Sequence, residues 1–156
     1  MSEMKMKRTM TRTKRKSEIE IKDNFEIREI LGSKMLLDPE DSGICSDLLK
    51  GKVREPAVVE LLKKEIKAED VVIDIGANIG YYVLLESQLV GPNGLVIAIE
   101  PVPENYSLLC KNIELNGLTN VKPYMLAIGN ENGKGKLQLS SKCNWAYLVD
   151  EIPRSE

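Results

Sequence analysis

The chain has 156 residues, a length that suits one domain, and 42% of them are hydrophobic, which is enough to form a core. It contains no histidine, so Ser-His, Cys-His and His-metal chemistry are excluded within this polypeptide. Its three cysteines, Cys45, Cys110 and Cys143, are far apart and lack C-x-x-C spacing. They therefore predict free thiols and no metal site.

Charge divides the chain into two unequal parts. Residues 1–16 carry seven Lys or Arg and one acid, Glu3, about +6, so the net charge of −2 leaves about −8 for residues 17–156. We interpret residues 1–22 as a basic arm, since a solvated, disordered terminus is commoner than a nucleic-acid-binding one. The sequence has no apolar run long enough to span a membrane and no secretory signal, so a cytoplasmic address is expected.

The segment before residue 70 predicts a hairpin, a connector and one helix. Alternating residues at 25–31 and 34–37 flank Gly32-Ser33, which is typical of a hairpin. Residues 46–50 predict a short helical turn that ends at Gly51. Pro56 then starts a run with apolar residues at helical spacing through Ile66, which predicts an amphipathic helix.

Regular α/β alternation follows. The continuous apolar run at 71–75 predicts a parallel strand that is buried on both faces, and residues 95–99 predict the next strand. Helices are predicted at 80–89 and 103–115, and a third strand at 121–128. After a turn cluster at 130–135, residues 136–140 alternate in the manner of an exposed edge or hairpin strand.

The first parallel strand ends in a D-x-G-x-N-x-G turn, which contains Asp74, Gly76, Asn78 and Gly80. A glycine lets the backbone approach a ligand, and the N-terminus of the following helix offers free amide groups to an anion. Nicotinamide and flavin dinucleotides usually meet G-x-G-x-x-G, and an acid before the glycines would repel their pyrophosphate. S-adenosylmethionine has a carboxylate, an ammonium and a sulfonium but no phosphate, so the turn favours that cofactor.

The second parallel strand stops at Glu100-Pro101, about twenty residues after the turn. There a carboxylate can accept hydrogen bonds from both ribose hydroxyls, and Pro101-Val102 can cover one face of the adenine. Alternatively, the glycines only permit a tight turn, and Glu100 is a solvated acid at a strand end. The order of strand, glycine turn, helix, strand and Glu-Pro favours the cofactor site.

On these motifs the sequence resembles the FkbM-type methyltransferases, a branch of the class I S-adenosylmethionine-dependent enzymes. The likeness covers roughly residues 30–150 and is carried by VIDIGANIGYY at 72–82, AIEPVPENYSLLCKNIELNGL at 98–118 and YMLAIGNENGKGKL at 124–137. GSKMLLDPEDSGI at 32–44 and REP at 54–56 add to it. The resemblance implies a Rossmann-like class I α/β fold, incomplete here, with strands 1–3 of the parallel sheet, flanking helices and preceding short strands.

The resemblance also implies roles for particular residues. Four residues of the glycine turn are expected to line the methionine and ribose part of S-adenosylmethionine: Asp74, Gly76, Asn78 and Gly80. Glu100 is expected to hold the ribose. Ala127 is expected to back the adenine, and Glu55 is a weaker candidate. The implied activity is O-methylation of a hydroxyl group on a sugar, lipid or small metabolite, and nucleic acid is not an expected partner. No catalytic residue is identified.

Three parts are predicted along the chain: the basic arm at 1–22, a hairpin and connector at 23–55, and a partial S-adenosylmethionine-binding domain at 56–156. The strand-four motif of that family, of the form IDVEG, has no counterpart after Ser140. We therefore expect a truncated or split chain, whose open strand edge a second copy or a complementing chain covers. The alternative is that residues 145–149 and the N-terminal strands fill the gap.

Three functional hypotheses follow. The first is an FkbM-like O-methyltransferase, or its cofactor-binding half, with a small-molecule or glycan acceptor. The second is a noncatalytic fragment that binds an adenosyl ligand or a partner chain. The third is an RNA-directed methyltransferase that uses the basic arm. It ranks last, because the chain lacks an N/D-P-P-Y/F signature and only 4% of its residues are aromatic.

Overall fold

The structure is a computed structural model that describes residues 24–131, 133, 135–139 and 146–149. The basic arm predicted at 1–22, and Cys143, lie outside these residues. The elements in chain order are β1 Glu26–Ile30, β2 Ser33–Leu37, α1 Ile44–Leu49, α2 Pro56–Glu65, β3 Val71–Ile75, α3 Tyr81–Val90, β4 Leu95–Ile99, α4 Pro103–Leu115, β5 Val121–Tyr124, β6 Lys136–Leu139 and β7 Ala146–Val149.

The centre of the fold is a parallel sheet in the order β3-β4-β5. The strands pair in register, so that Ile73 lies opposite Ile97, and Ile99 lies opposite Tyr124. Helices α3 and α4 connect successive strands, as parallel pairing requires. The predicted α/β fold and the strands expected at 71–75 and 95–99 are confirmed.

The third parallel strand is shorter than predicted. β5 ends at Tyr124, whereas the sequence pattern predicted a strand through residue 128. Its partner β4 ends at Ile99, directly opposite Tyr124, so the following residues have no backbone to pair with. Met125 and Ile128 are accordingly exposed.

The two faces of the parallel sheet differ. Val96 and Ala98 on β4 point toward α3 and α4 and are fully buried. On the opposite face of β3, Val71, Ile73 and Ile75 are 65%, 58% and 64% exposed. The prediction that this strand is buried on both faces is therefore wrong for the described residues, because α3 and α4 cover one face only.

The β1–β2 hairpin packs against α4 and α3. Its side chains Met35 and Leu37 are buried in one cluster with Leu84 and Leu108 of those helices. One polar contact also fastens it: the Asn112 side chain accepts a hydrogen bond from the Leu36 amide at 2.7 Å. The predicted hairpin thus adds a layer beside the helices rather than a strand to the parallel sheet.

A second hairpin follows the parallel sheet. β6 pairs with β7 in antiparallel register, which confirms the hairpin strand predicted from residue 136. Among the described strands, β7 pairs with β6 and β1 with β2, so the free edge of β3 is not filled by either. No helix among the described residues is long and apolar enough to cross a membrane.

Candidate cofactor site

The loop between β3 and α3 is wound by left-handed residues. Gly76, Asn78 and Gly80 have φ angles of 87°, 50° and 95°. The amides of Gly76 and Ala77 both donate to the Ile99 carbonyl oxygen, at 2.8 and 3.0 Å. These bonds attach the loop to the carboxyl end of the neighbouring strand β4, where parallel α/β sheets bind ligands.

The two glycines of the loop have different surroundings. A Cβ atom built on Gly76 would meet nothing within 4 Å, so the backbone there borders open space. A Cβ atom on Gly80 would come within 2.8 Å of Leu109 Cδ1, which belongs to the core. Gly76 is thus the glycine that leaves room for a ligand, while Gly80 is required by packing and can face a ligand only through its backbone.

Glu100 joins the two loops that follow β3 and β4. Its Oε2 accepts a hydrogen bond from the Asn78 amide at 2.8 Å, and its Oε1 accepts from the Val102 amide at 2.9 Å and from Asn105 Nδ2 at 3.4 Å. The residue is only 4% exposed, so it is not the solvated strand-end acid of the alternative hypothesis. A carboxylate has about four acceptor positions, and these three bonds leave one for a ligand hydroxyl.

Asp74 lies on the helix-covered face of β3, opposite Ala98. Its Oδ2 is buried and has no hydrogen-bond partner among the described residues. Burial, and then the charge of Glu100, raise the pKa of the Asp74 carboxyl to about 6. The two acids predicted from sequence are therefore close enough for their charges to interact, and both have unused acceptor capacity.

Two further residues of the site were not predicted. Glu86 on α3 is 5% exposed and also has a buried oxygen without a described partner, and burial, followed by the charge of Asp74, raises its pKa to about 8. Asn112 on α4 is fully buried, and its Nδ2 donates to the Ile79 carbonyl oxygen at 2.9 Å. This bond attaches the loop between β3 and α3 to α4. The available signal for Glu86 was that it is the only charged residue in Tyr81–Val90.

The remaining candidates lie at the periphery. Glu55 is the residue before α2, has a φ of 45°, and accepts a hydrogen bond from the hydroxyl of Tyr82 on the first turn of α3. Ala127 is exposed in the segment after β5. The Tyr124 carbonyl at the end of β5 accepts from the Glu100 amide at 3.1 Å, so that segment starts beside the site.

The chemistry of these residues fits S-adenosylmethionine. Asp74 and Glu100 supply acceptors for an ammonium group and for hydroxyls, and both still have unused acceptor capacity. In the part of the chain that the structure describes, no side chain caps the N-terminus of α3, which leaves that end to an anionic group such as a carboxylate. The backbone at Gly76 borders open space.

Comparison with known proteins assigns the fold to a class and the chain to a family. The TYW2 protein of M. jannaschii, solved in complex with AdoMet, superposes with a TM-score of 0.50 at 29% identity, over 70% of this chain and 46% of that one. The parallel sheet with its helices is thus the Rossmann-like fold of the class I S-adenosylmethionine-dependent methyltransferases. A family model described as the TRM5/TYW2 methyltransferase domain matches residues 32–136, and the chain belongs to that family.

Two curated relatives give the range of activities near this sequence. A tRNA(Phe) (4-demethylwyosine(37)-C(7)) aminocarboxypropyltransferase of Methanocaldococcus jannaschii is 37% identical over 49% of this chain and 29% of its own length. A protein-L-isoaspartate O-methyltransferase of Thermosipho melanesiensis is 34% identical over 44% of this chain and 36% of its own length. The chain therefore matches less than half the length of each relative.

These findings confirm the methyltransferase superfamily and the predicted fold, and they indicate S-adenosylmethionine as the cofactor. They do not support the FkbM family, since the matching family is TRM5/TYW2. The expectation that nucleic acid is not a partner is weakened, because a matched relative is named for its action on tRNA.

Proposed function

We propose that this protein binds S-adenosylmethionine between the loops at 76–80 and 100–102 and transfers the cofactor's methyl group to an acceptor. The observation that carries the proposal is the Glu100 carboxylate, which backbone amides of both loops hold beside the open space at Gly76. The family match over residues 32–136 and the AdoMet complex of the TYW2 relative support the same cofactor.

Each residue has a definite task in this proposal. Glu100 accepts from the ribose with its remaining lone pair, and the Asp74 carboxylate accepts from the ammonium. The backbone at Gly76, Asn78 and Gly80 forms the wall of the site. Bound there, the cofactor supplies a sulfonium whose attached carbon is attacked in line, a reaction that depends chiefly on orientation.

The proposed acceptor is RNA. The support comes from the relative named as a tRNA(Phe)-modifying enzyme, at 37% identity, and from the TRM5/TYW2 family assignment. The seven Lys or Arg within residues 1–16 supply positive charge for phosphate contacts. O-methylation of a sugar, lipid or small metabolite, the activity first expected, has no support in the family match.

Transfer of the aminocarboxypropyl group is a second candidate reaction, since the tRNA-modifying relative is named for it. The cofactor's sulfur carries three carbon substituents, and the one that faces the acceptor is the one transferred. The two reactions leave different products: methyl transfer releases S-adenosylhomocysteine, whereas aminocarboxypropyl transfer releases methylthioadenosine. Mass spectrometry of the nucleoside product separates them directly.

The organisation of the chain also remains a proposal. We retain the basic arm at 1–22, the hairpin and connector at 23–55 and the cofactor-binding part at 56–156. The hairpin shares its buried cluster with α3, so the last two parts are expected to fold together. A complementing chain at the free edge of β3 remains a proposed partner.

The first experiment is isothermal titration of the full chain with S-adenosylmethionine. Saturable binding is expected, and Glu100→Gln should weaken it at least tenfold, about 1.4 kcal/mol, because it removes a charged acceptor from the ribose. The control is Glu114→Gln, an exposed acid on α4 that should bind as the parent does. Absence of binding by a folded parent chain would overturn the proposal.

The second experiment addresses the acceptor. The chain is incubated with labelled S-adenosylmethionine and either bulk tRNA or a mixture of hydroxylated small molecules. The label transferred to the acceptor and the nucleoside that remains from the cofactor are then measured. Label in tRNA together with S-adenosylhomocysteine supports the proposed reaction. Cofactor binding without transfer to any acceptor would favour the noncatalytic alternative.

A further inference from the structure

Two carboxyl groups with buried oxygens lie where β3 and α3 pack together, close enough for the charge of Asp74 to act on Glu86. Asp74 points from β3 toward α3, and Glu86 lies on the buried side of α3. Each has one oxygen, Asp74 Oδ2 and Glu86 Oε2, that is buried and lacks a hydrogen-bond partner among the described residues. Two such acceptors on elements that pack against each other are unusual in a folded protein and require a physical explanation.

Among the described residues, no cation contributes to the electrostatics of this pair. On β4 the facing residues are Val96 and Ala98, and the acid beyond them is Glu100, whose carboxylate the backbone amides occupy. The other elements that pack on α3 are β2, α2 and α4. Lys111 of α4 is half-buried, and the other charged residues of these elements are exposed: Lys34, Glu60, Lys63, Lys64, Glu65, Glu104 and Glu114. Two ionised carboxylates in such a setting would repel one another and lack solvation.

We propose that Glu86 remains protonated at neutral pH and donates its proton to the Asp74 carboxylate, directly or across one enclosed water, so that Glu86 positions Asp74 for the cofactor. One proton then satisfies both orphaned oxygens, because a protonated carboxyl is a donor and an ionised one is an acceptor. Glu86 is thus a positioning residue that acts through Asp74. The inference rests on the proposed function only in assigning Asp74 to the cofactor.

The electrostatics give the pair its order of ionisation. Burial and the charge of Glu100 raise the pKa of Asp74 to about 6, while burial and the charge of Asp74 raise that of Glu86 to about 8. Between those values the pair holds a single proton, and the proton resides on Glu86. An ammonium group beside Asp74 would stabilise its ionised form and keep the proton where it is.

The test that needs no cofactor is a pH titration of the Asp and Glu carboxyl carbons by NMR. In the parent chain the Glu86 carboxyl is expected to be protonated at pH 7 and to ionise near pH 8. In Asp74→Asn it should ionise at lower pH, because the repelling charge is gone. A Glu86 that is ionised at pH 7, or whose titration is unmoved by Asp74→Asn, would overturn the proposal.

A second test separates positioning from simple packing. Glu86→Gln keeps a donor for Asp74, whereas Glu86→Leu keeps the bulk and removes the donor. At pH 7 the affinity for S-adenosylmethionine should stay within about threefold for Gln and fall about tenfold for Leu, a loss typical of one hydrogen bond. The pH at which acid halves the affinity should rise for Leu only, since Asp74 then loses a bond that favours its ionised form.

The outcomes keep the two proposals apart. Equal losses for Gln and Leu with an unshifted pH profile would assign Glu86 a packing role and overturn the inference while leaving the cofactor site intact. If the parent binds no cofactor, the NMR titration still decides whether the proton is shared. Glu114→Gln again serves as the matched control on an exposed helical position.

Discussion

The two faces of the parallel sheet are almost equally apolar in sequence but differ in burial, most of all at β3. The helix-covered face buries Val96 and Ala98 completely, whereas the other face leaves Val71, Ile73 and Ile75 more than half exposed. The covered face also carries Asp74, so the stability of the sheet and the candidate site depend on the same packing. Apolar composition on its own therefore does not tell which face of a strand contributes to folding.

The largest contrast should come from truncating one residue on each side. Leu109 of α4 is fully buried against the covered face, so Leu109→Ala should destabilise the chain by about 3–4 kcal/mol through lost burial and an unfilled cavity. Ile73→Ala on the bare face should cost less than about 1 kcal/mol. Urea unfolding of both variants, followed by circular dichroism, measures the difference.

Equal losses of unfolding free energy in the two variants would contradict the difference between the two faces. Such a result would mean that the bare face is buried in solution by another segment or another copy, since an exposed isoleucine has little burial to lose. Repeating the Ile73→Ala measurement at several protein concentrations would separate those cases. Only burial by a second copy makes the cost depend on concentration.

The second prediction concerns Gly80, where the cofactor loop meets the covered face. Gly80→Ala should cost about 2–3 kcal/mol, because the residue has a φ of 95° and the new methyl would press on Leu109 Cδ1. Gly117→Ala, just after α4, is the matched control: its φ is 61°, its surroundings are open, and it should cost about 1 kcal/mol. Thermal unfolding of both variants makes the comparison.

The clash can be isolated with a double variant. If Leu109 causes the extra cost, Gly80→Ala combined with Leu109→Ala should destabilise by about 1 kcal/mol less than the sum of the single changes. Strict additivity would show that the left-handed backbone alone is responsible. In that case Gly80 would be required by the turn rather than by contact between the loop and α4.

The elements predicted correctly are those set by local pattern. The strands at 71–75 and 95–99 and the helix at 103–115 match the structure because their apolar spacing, proline starts and glycine stops act within a few residues. The two wrong predictions, the length of β5 and the burial of β3, depend on neighbouring elements. β5 ends opposite the last residue of β4, and β3 is exposed on one face because α3 and α4 cover the other. Neither fact is contained in the pattern of a single strand.

The candidate site divides in the same way. Asp74 and Glu100 could be placed together because the carboxyl ends of adjacent parallel strands share one edge of the sheet. Glu86 and Asn112 could not, since their positions depend on how α3 and α4 rotate against that sheet. The family was also misjudged at its finer level. The motifs at 72–82 and 98–118 are those assigned to cofactor binding, and a shared cofactor does not distinguish enzymes by acceptor.

The third prediction concerns the pH dependence of stability, which Asp74 and Glu86 on the covered face are expected to set. The pKa of Glu86 is raised from 4.5 to about 8 and that of Asp74 from 3.8 to about 6. The folded chain therefore binds more protons than the unfolded chain in this range, so its stability should fall as pH rises from about 4 to about 8. Each group contributes at most ~1.4 kcal/mol per pH unit.

The loss of stability between pH 6 and 8 can be assigned to Glu86 by substitution. Glu86→Gln should flatten the decline between pH 6 and 8 and leave the variant about 1–2 kcal/mol more stable than the parent at pH 8. Unfolding free energies measured at half-unit pH intervals would reveal this. A parent chain whose stability rises through the same interval would contradict the direction of both pKa shifts.

The smallest effect on stability is expected on the bare face, and it should be accompanied by a change in association. Three contiguous branched side chains, Val71, Ile73 and Ile75, border the free edge of β3, and an exposed apolar strand with unpaired backbone is a site for pairing between chains. Replacing Ile73 and Ile75 by Thr keeps the β-branched shape but adds a hydroxyl. The unfolding free energy should change by less than about 1 kcal/mol, whereas self-association should decrease in sedimentation velocity. Val96→Thr is the counterpart on the covered face and should lower stability. If it does so while self-association of the double variant is unchanged, the bare face does not mediate contact between copies. Its apolar side chains must then be explained by a different partner.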